Sequence, residues 1–185
     1  MAAGRVEGKL FIMAKAPFPG EAKTRLAAAL GDEAAVQLYT GFLLDSVDNA
    51  IAVRAEAVTI MCPDDRHRGA LIDLLPPDIS VCAQPRPGLM AGISAAAAAA
   101  AGEPAVITEA DSPDLPPGHL TACFTALAAL PKAGIVLGPC SDGGYYAVGV
   151  RGVTSEVAEE LFERERYESE TICRRTAERA AQLGL

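Results

Sequence analysis

Three short stretches of this 185-residue sequence hold the side chains best suited to chemistry. The first, AKAPFPGEAKTR, carries Lys15, Lys23 and Arg25. The second, EADSPD, carries Glu109, Asp111 and Asp114, and the third, GPCSDGG, carries Asp142. Lysine binds phosphate as a compact point charge, and arginine offers a bidentate fork. Carboxylates suit hard divalent cations, which take oxygen ligands and are often shared with substrate phosphates. A basic loop and two acidic loops are together the parts of a site for a metal-bridged phosphate.

Each residue also has a plainer reading. Lys23 follows Pro-Phe-Pro-Gly directly and reads as a phosphate ligand, whereas Arg25 either joins it or pairs with a carboxylate. Asp111 ends an apolar run and fits a metal. Asp114, before Leu-Pro-Pro, reads as a capping or turn residue. Glu109 is expected to point away, on the ground that strand neighbours alternate faces. Asp142 completes a metal site, or orients an acceptor hydroxyl, or forms an ordinary Asp-Gly turn. His67 and His119 are isolated near helix starts and read as surface residues. Of Tyr145 and Tyr146, alternation places one in the core and one at the pocket. No Ser-His-Asp or Cys-His arrangement can be built.

These residues need elements to position them. Apolar runs predict strands at about 9–14, 57–62, 79–83, 104–108, 133–137 and 145–150. Helices are expected from Glu21 to Gly31, from Asp32 past Ile51, over 65–75, along the Ala-rich run containing Ala95 to Ala101, from Pro116 to Leu130, and over 154–165 and 169–182. The helix start after Gly20 is itself a candidate anion site, because backbone N–H groups there are unpaired. Residues 1–8 read as a flexible leader and 9–185 as one domain. Alternating strands and helices predict an α/β fold with a mainly parallel sheet. Ligands of such sheets bind beyond the strand carboxyl ends, where all three stretches fall.

Composition narrows the classes. The net charge of −8 argues against a nucleic-acid or anionic-membrane surface. No apolar run reaches the length of a membrane span or a signal peptide, so the expectation is a cytoplasmic protein. The five cysteines, Cys62, Cys82, Cys123, Cys140 and Cys173, lack paired spacing and are expected to be reduced and mostly buried.

The segment FIMAKAPFPGEAKTRLAAALGDEAAVQLYTGFLLD resembles the opening of a bacterial glycosyltransferase-like family with the signature KxPxPGxxKTRLxxxLG followed by YxxFLxD. ADSPDLP and GPCSDGGYYAVGV resemble its two later motifs, in order, over residues 10–150. The resemblance implies the GT-A, nucleotide-diphospho-sugar transferase fold, a Rossmann-like three-layer α/β/α sandwich shared with guanylyl- and cytidylyltransferases. It implies that Ala14, Lys15, Gly20, Lys23 and Arg25 wrap a nucleotide, that Asp111 binds the metal, and that Asp142 faces donor or acceptor. Gly88 and Met90, in QPRPGLMAGI, are implied base contacts. Two departures stand out. Similar proteins have Gly and a small residue where this chain has Glu109-Ala110, so an acid there adds a ligand or crowds the site. Similar proteins also continue through a further edge strand beyond the point matching Leu185.

The resulting expectation is a Mg2+- or Mn2+-dependent transferase using a nucleotide sugar and a small-molecule acceptor. Lys23 and Asp142 are its catalytic residues, and Asp111 and Asp142 its metal ligands. A nucleotidyltransferase acting on a nucleoside triphosphate and an inactive nucleotide- or partner-binding domain stay open beside it. A homodimer is the default for a compact cytosolic enzyme.

Overall fold

The computed structural model describes residues 5–21, 23–163, 168 and 170–185. Among the described residues, six strands and seven helices follow in the order β1 (Lys9–Met13), α1 (Thr24–Leu30), α2 (Asp32–Val53), β2 (Ala57–Cys62), α3 (Asp65–Leu74), β3 (Ser80–Ala83), α4 (Leu89–Ala99), β4 (Ala105–Glu109), α5 (Pro117–Ala129), β5 (Gly134–Pro139), β6 (Tyr145–Arg151), α6 (Ser155–Phe162) and α7 (Ile172–Gln182). The strands form one sheet in the order β3-β2-β1-β4-β6-β5. β3, β2, β1 and β4 are mutually parallel. β6 runs against both β4 and β5, so β5 points the same way as the parallel set.

Both sheet faces are covered, which is why β1 and β4 read as continuous apolar runs rather than alternating ones. Leu10, Ile12, Ile60 and Val106 face a core shared with Leu43 and Val47 of α2, Leu71 of α3, and Phe124 and Leu127 of α5. Phe11, Met13, Met61 and Ile107 face the opposite core, with Ile93 of α4, Phe162 of α6 and Ile172 of α7. The result is a three-layer α/β/α sandwich. Ala96, Ala97 and Ala100 are buried in the second core, so the alanine run is a packing face. Pro116 is the N-cap of α5 and Pro117 its first residue, where a missing N–H costs nothing.

Some boundaries depart from the sequence reading. α1 starts at Thr24 rather than Glu21, because Lys23 adopts left-handed backbone (φ 50°, ψ 51°) that a helix cannot continue through. α6 begins and ends inside the expected 154–165, α7 begins later than the expected 169 and ends at 182 as expected, and residues 164–167 and 169 lie outside those described. Of the leader, Val6 and Gly8 are tied to the domain: Val6 donates to the Arg54 carbonyl, and the Gly8 carbonyl accepts from Glu56. Two cysteines rather than most are buried, Cys62 and Cys123.

All strand ends that lead into the three chemical stretches lie on one edge. The loops after β1 and β4 are adjacent there, and the β5–β6 turn follows beyond β6.

Candidate active site

The loop from Ala14 to Lys23 is fixed by its backbone. The Ala14 N–H donates to Met61 O at 3.0 Å, extending the sheet by one residue. The Tyr39 hydroxyl of α2 accepts from the Lys15 N–H and donates to the Lys15 carbonyl, both at 3.1 Å. Burial pushes the Tyr39 pKa up to about 12, against the lowering effect of its Lys15 hydrogen bond, so the hydroxyl keeps its proton. The Ala16 N–H donates to His67 Nδ1 of α3 at 2.9 Å. Lys23 closes the loop in the left-handed region, which costs a residue with a Cβ about 1 kcal/mol. α1 then runs for only seven residues, and so short a helix sums few peptide dipoles. The positive charge facing the cavity comes from the Lys15 and Lys23 side chains rather than from this helix start.

The acidic side comes from β4. Met13 pairs in register with Met61 on one side and Glu109 on the other, so these three side chains share a face. The Ala110 N–H still bonds to Met13 O, at 3.1 Å. Asp111 lies two residues beyond Glu109, and the Lys23 ammonium forms an ion pair with its carboxylate. The same ammonium stands 5.9 Å from the centre of the Tyr39 ring. Burial, and then the Asp111 charge, raise the Glu109 carboxyl to about 7, with Lys23 opposing.

These groups surround a cavity of about 460 Å3. Met13 and Met61 supply apolar surface, Lys15 and Lys23 the positive charge, and Glu109 and Asp111 the negative. Gln84, Gly88 and Leu89 form the opposite rim. Gln84 orders that rim: its Nε2 donates to the carbonyls of Arg86 (2.7 Å) and Gly88 (3.1 Å). Gly92 makes room for it, since a Cβ there would lie 2.3 Å from Gln84 Oε1 and 2.4 Å from Met13 Cε. Outside the cavity, Arg86 bonds Glu159 (3.0 Å) and Glu163 (2.7 Å), tying the rim to α6.

Of the residues singled out from the sequence, the structure brings Ala14, Lys15, Lys23, Gly88 and Asp111 to the cavity. It does not bring Gly20, Arg25, Met90 or Asp142 there. Gly20 is exposed, and Arg25, two residues round α1 from Lys23, is also exposed. Met90 is buried in the second core, because the first turn of α4 offers Leu89 to the cavity and turns the next residue inward. Asp142 lies on the same sheet edge, but its Oδ1 accepts the Gly144 N–H at 2.9 Å, the bond of an Asx turn. Both tyrosines at the start of β6 are half-buried and neither lines the cavity: Tyr145 packs on one core and Tyr146 on the other.

Sequence reasoning missed Tyr39, Gln84 and His67, and read Glu109 both as turned away and as an acid that adds a ligand or crowds the site. For Glu109 the signal was present: Glu109 and Asp111 are two apart, and strand period two puts such residues on one face. His67 is buried, not at the surface.

The donor set can be tested against a divalent cation. Glu109 and Asp111 both offer carboxylate oxygens, and the Asp111 charge lies near enough to raise the proton affinity of Glu109. Among the described residues no group of three His, Cys, Asp or Glu gathers to hold a metal. Two carboxylates, with water and substrate phosphate completing the shell, are what Mg2+ commonly uses. The cavity fits a cation that arrives with its phosphate ligand.

The fold is shared with several solved structures. A protein assigned as a nucleotide-diphospho-sugar transferase, from Desulfovibrio desulfuricans G20, superposes with a TM-score of 0.83 at 23% identity, over 98% of this chain and 78% of that one. A nucleotidyl transferase from Methanothermobacter gives 0.62 at 12% identity, over 97% and 84%. A cytidylyltransferase from Leptospira borgpetersenii gives 0.52 at 14% identity, over 97% and 70%. No curated protein matches the chain in sequence. A family model matches residues 46–169, a span that starts after the Lys23 loop and holds both acidic stretches. The chain thus belongs to the bacterial family described as "Uncharacterized protein conserved in bacteria (DUF2064)".

Proposed function

We propose that this protein is a transferase that takes a nucleotide-activated donor, in the first place a nucleotide sugar, in the cavity between Lys23 and Gly88. The observation that carries this reading is the meeting of Lys23 with Asp111 at a cavity whose other surface is apolar. A base and ribose fit against Met13, Met61 and the Gly88 backbone, and a diphosphate fits the charged end. There Lys23 exchanges one anionic partner, the Asp111 carboxylate, for another, a phosphate oxygen. Its positive charge then stands where negative charge builds on the leaving diphosphate. Asp111, with Glu109 beside it, would hold Mg2+ or Mn2+, which when bound neutralises the leaving group. Asp142, engaged in its own turn, shapes the neighbouring loop rather than supplying the second metal ligand.

One observation favours a second reading. Lys15 and Lys23 both line the cavity. Two cations suit a triphosphate, and nucleotidyl transfer with loss of pyrophosphate uses the same parts.

Thermal shifts separate the two. UDP-glucose, GDP-mannose, GTP and CTP are each added with Mg2+ or Mn2+. Stabilisation by a nucleotide sugar plus metal, lost in Asp111→Ala, supports the first reading. Stabilisation by a triphosphate alone supports the second. No metal-dependent shift with any of the four overturns both.

A further inference from the structure

His67 has its exposure reduced to 4% beneath the Ala14–Lys23 loop, although α3 is otherwise a largely exposed helix. Its backbone is fixed by the N-cap, as the His67 N–H donates to Asp64 Oδ1 at 2.9 Å. Its ring lies against Phe18, with centroids 5.0 Å apart. Nδ1 accepts the Ala16 N–H, so the ring proton sits on Nε2, which faces Glu21 Oε2 at 3.5 Å. The other Glu21 oxygen accepts from Arg66 at 2.6 Å, and the Arg66 guanidinium stacks 3.9 Å from the centre of the Phe18 ring. One turn of α3 thus grips Ala16, Phe18 and Glu21, the middle of the loop whose ends carry Lys15 and Lys23. Glu21 lines the cavity, where an unpaired carboxylate would repel phosphate. Its contacts with Arg66 and His67 draw that charge away.

We propose that His67 is a positioning residue: its Nδ1 and Nε2 hold the Ala16 amide and Glu21 so that the loop presents Lys15 and Lys23 to the phosphates of the bound nucleotide. The ligand half of this inference rests on the nucleotide reading above. The strut itself does not. A histidine that only fills the core needs no acceptor at Nδ1, and this difference makes the role testable.

Two variants separate the roles. His67→Phe keeps an aromatic ring without an acceptor, and His67→Asn places an oxygen where Nδ1 stands. In the ligand-free protein, amide hydrogen exchange over residues 14–21 is expected to quicken about 10-fold in His67→Phe, while exchange in β1 and α2 stays as it was. His67→Asn restores most of the protection. In the wild type, the 15N shift of Nδ1 is that of an unprotonated nitrogen. With UDP-glucose or GTP and Mg2+ as probes, the half-saturating concentration rises about 10-fold in His67→Phe and recovers in His67→Asn. Equal exchange in wild type and His67→Phe, or a protonated Nδ1, overturns the proposal. If exchange behaves as expected but no nucleotide stabilises the wild type, the strut stands and the nucleotide reading falls. If His67→Phe does not fold, His67→Asn and the nitrogen shift decide alone.

Discussion

Lys23 and Asp111, 88 positions apart in the chain, close on one another where the loop after β1 meets the end of β4. Their side chains keep 27% and 37% of their exposure, so the pair contributes at most about 1 kcal/mol to stability. It orients two charged groups far more than it holds the fold. Removing either partner should leave a folded protein in which only the site has changed.

Backbone and charge at Lys23 can be read separately. Lys23→Ala loses the ammonium and keeps the left-handed strain, while Lys23→Gly loses both. In urea denaturation Lys23→Gly is expected to be about 1 kcal/mol more stable than Lys23→Ala. Both should lose the nucleotide-induced thermal shift. Equal stability of the two would show that the left-handed conformation is relaxed in solution.

Glu109 makes stability depend on pH. Its folded pKa, about 7, lies above the ordinary 4.5, so the folded chain keeps a proton that the unfolded chain has released. Stability from this group is fully present below pH 4.5, falls as pH rises, and is lost above about 7, a change of about 3 kcal/mol. Glu109→Gln should flatten the curve across that window. The check is urea unfolding of both proteins at pH 4, 6 and 8 with a chelator present; parallel curves would refute it.

Tyr39→Phe deletes one oxygen and two hydrogen bonds to Lys15. Leaving that backbone N–H without an acceptor costs about 1–3 kcal/mol. The variant should unfold at lower urea and need more nucleotide for the same thermal shift. A loss of stability with unchanged nucleotide response would mean that Tyr39 holds the fold but not the site.

The GPCSDGG turn is predicted to be architectural. A Cβ on Gly143 (φ 92°) would lie 2.1 Å from the Glu170 carbonyl oxygen, whereas one on Gly20 (φ 75°) meets nothing within 4 Å. Gly143→Ala should cost more than about 2 kcal/mol and Gly20→Ala about 1. Asp142→Asn keeps the oxygen that accepts from Gly144 and should keep the metal-dependent nucleotide shift. Loss of that shift in a well-folded Asp142→Asn would return Asp142 to the chemistry.

The six strands were legible because each is an apolar run between turn residues, and a parallel sheet buries both faces of its strands. Lys23 and Asp111 were legible because strand ends of such a sheet share an edge. Which way a side chain points was harder. Leu89 and Met90 are both apolar and adjacent, and only the seating of α4 sends one to the cavity and the other to the core. His67 was unreadable locally, since the amide it satisfies is 51 positions away. Tyr39 has helical core spacing, and nothing in that spacing shows that its hydroxyl reaches the Lys15 backbone.

The strand order also bears on synthesis. β1 emerges before both of the strands it pairs with, β2 from residue 57 and β4 from residue 105. Until the second of these leaves the ribosome, one side of Lys9–Met13 is a bare row of amides and carbonyls in an apolar strand, a template for pairing with other chains. Nascent chains halted before Ala105 should therefore be the aggregation-prone species and depend on chaperone cover. Insertion of β4 removes that hazard and, in the same event, delivers Asp111 to Lys23.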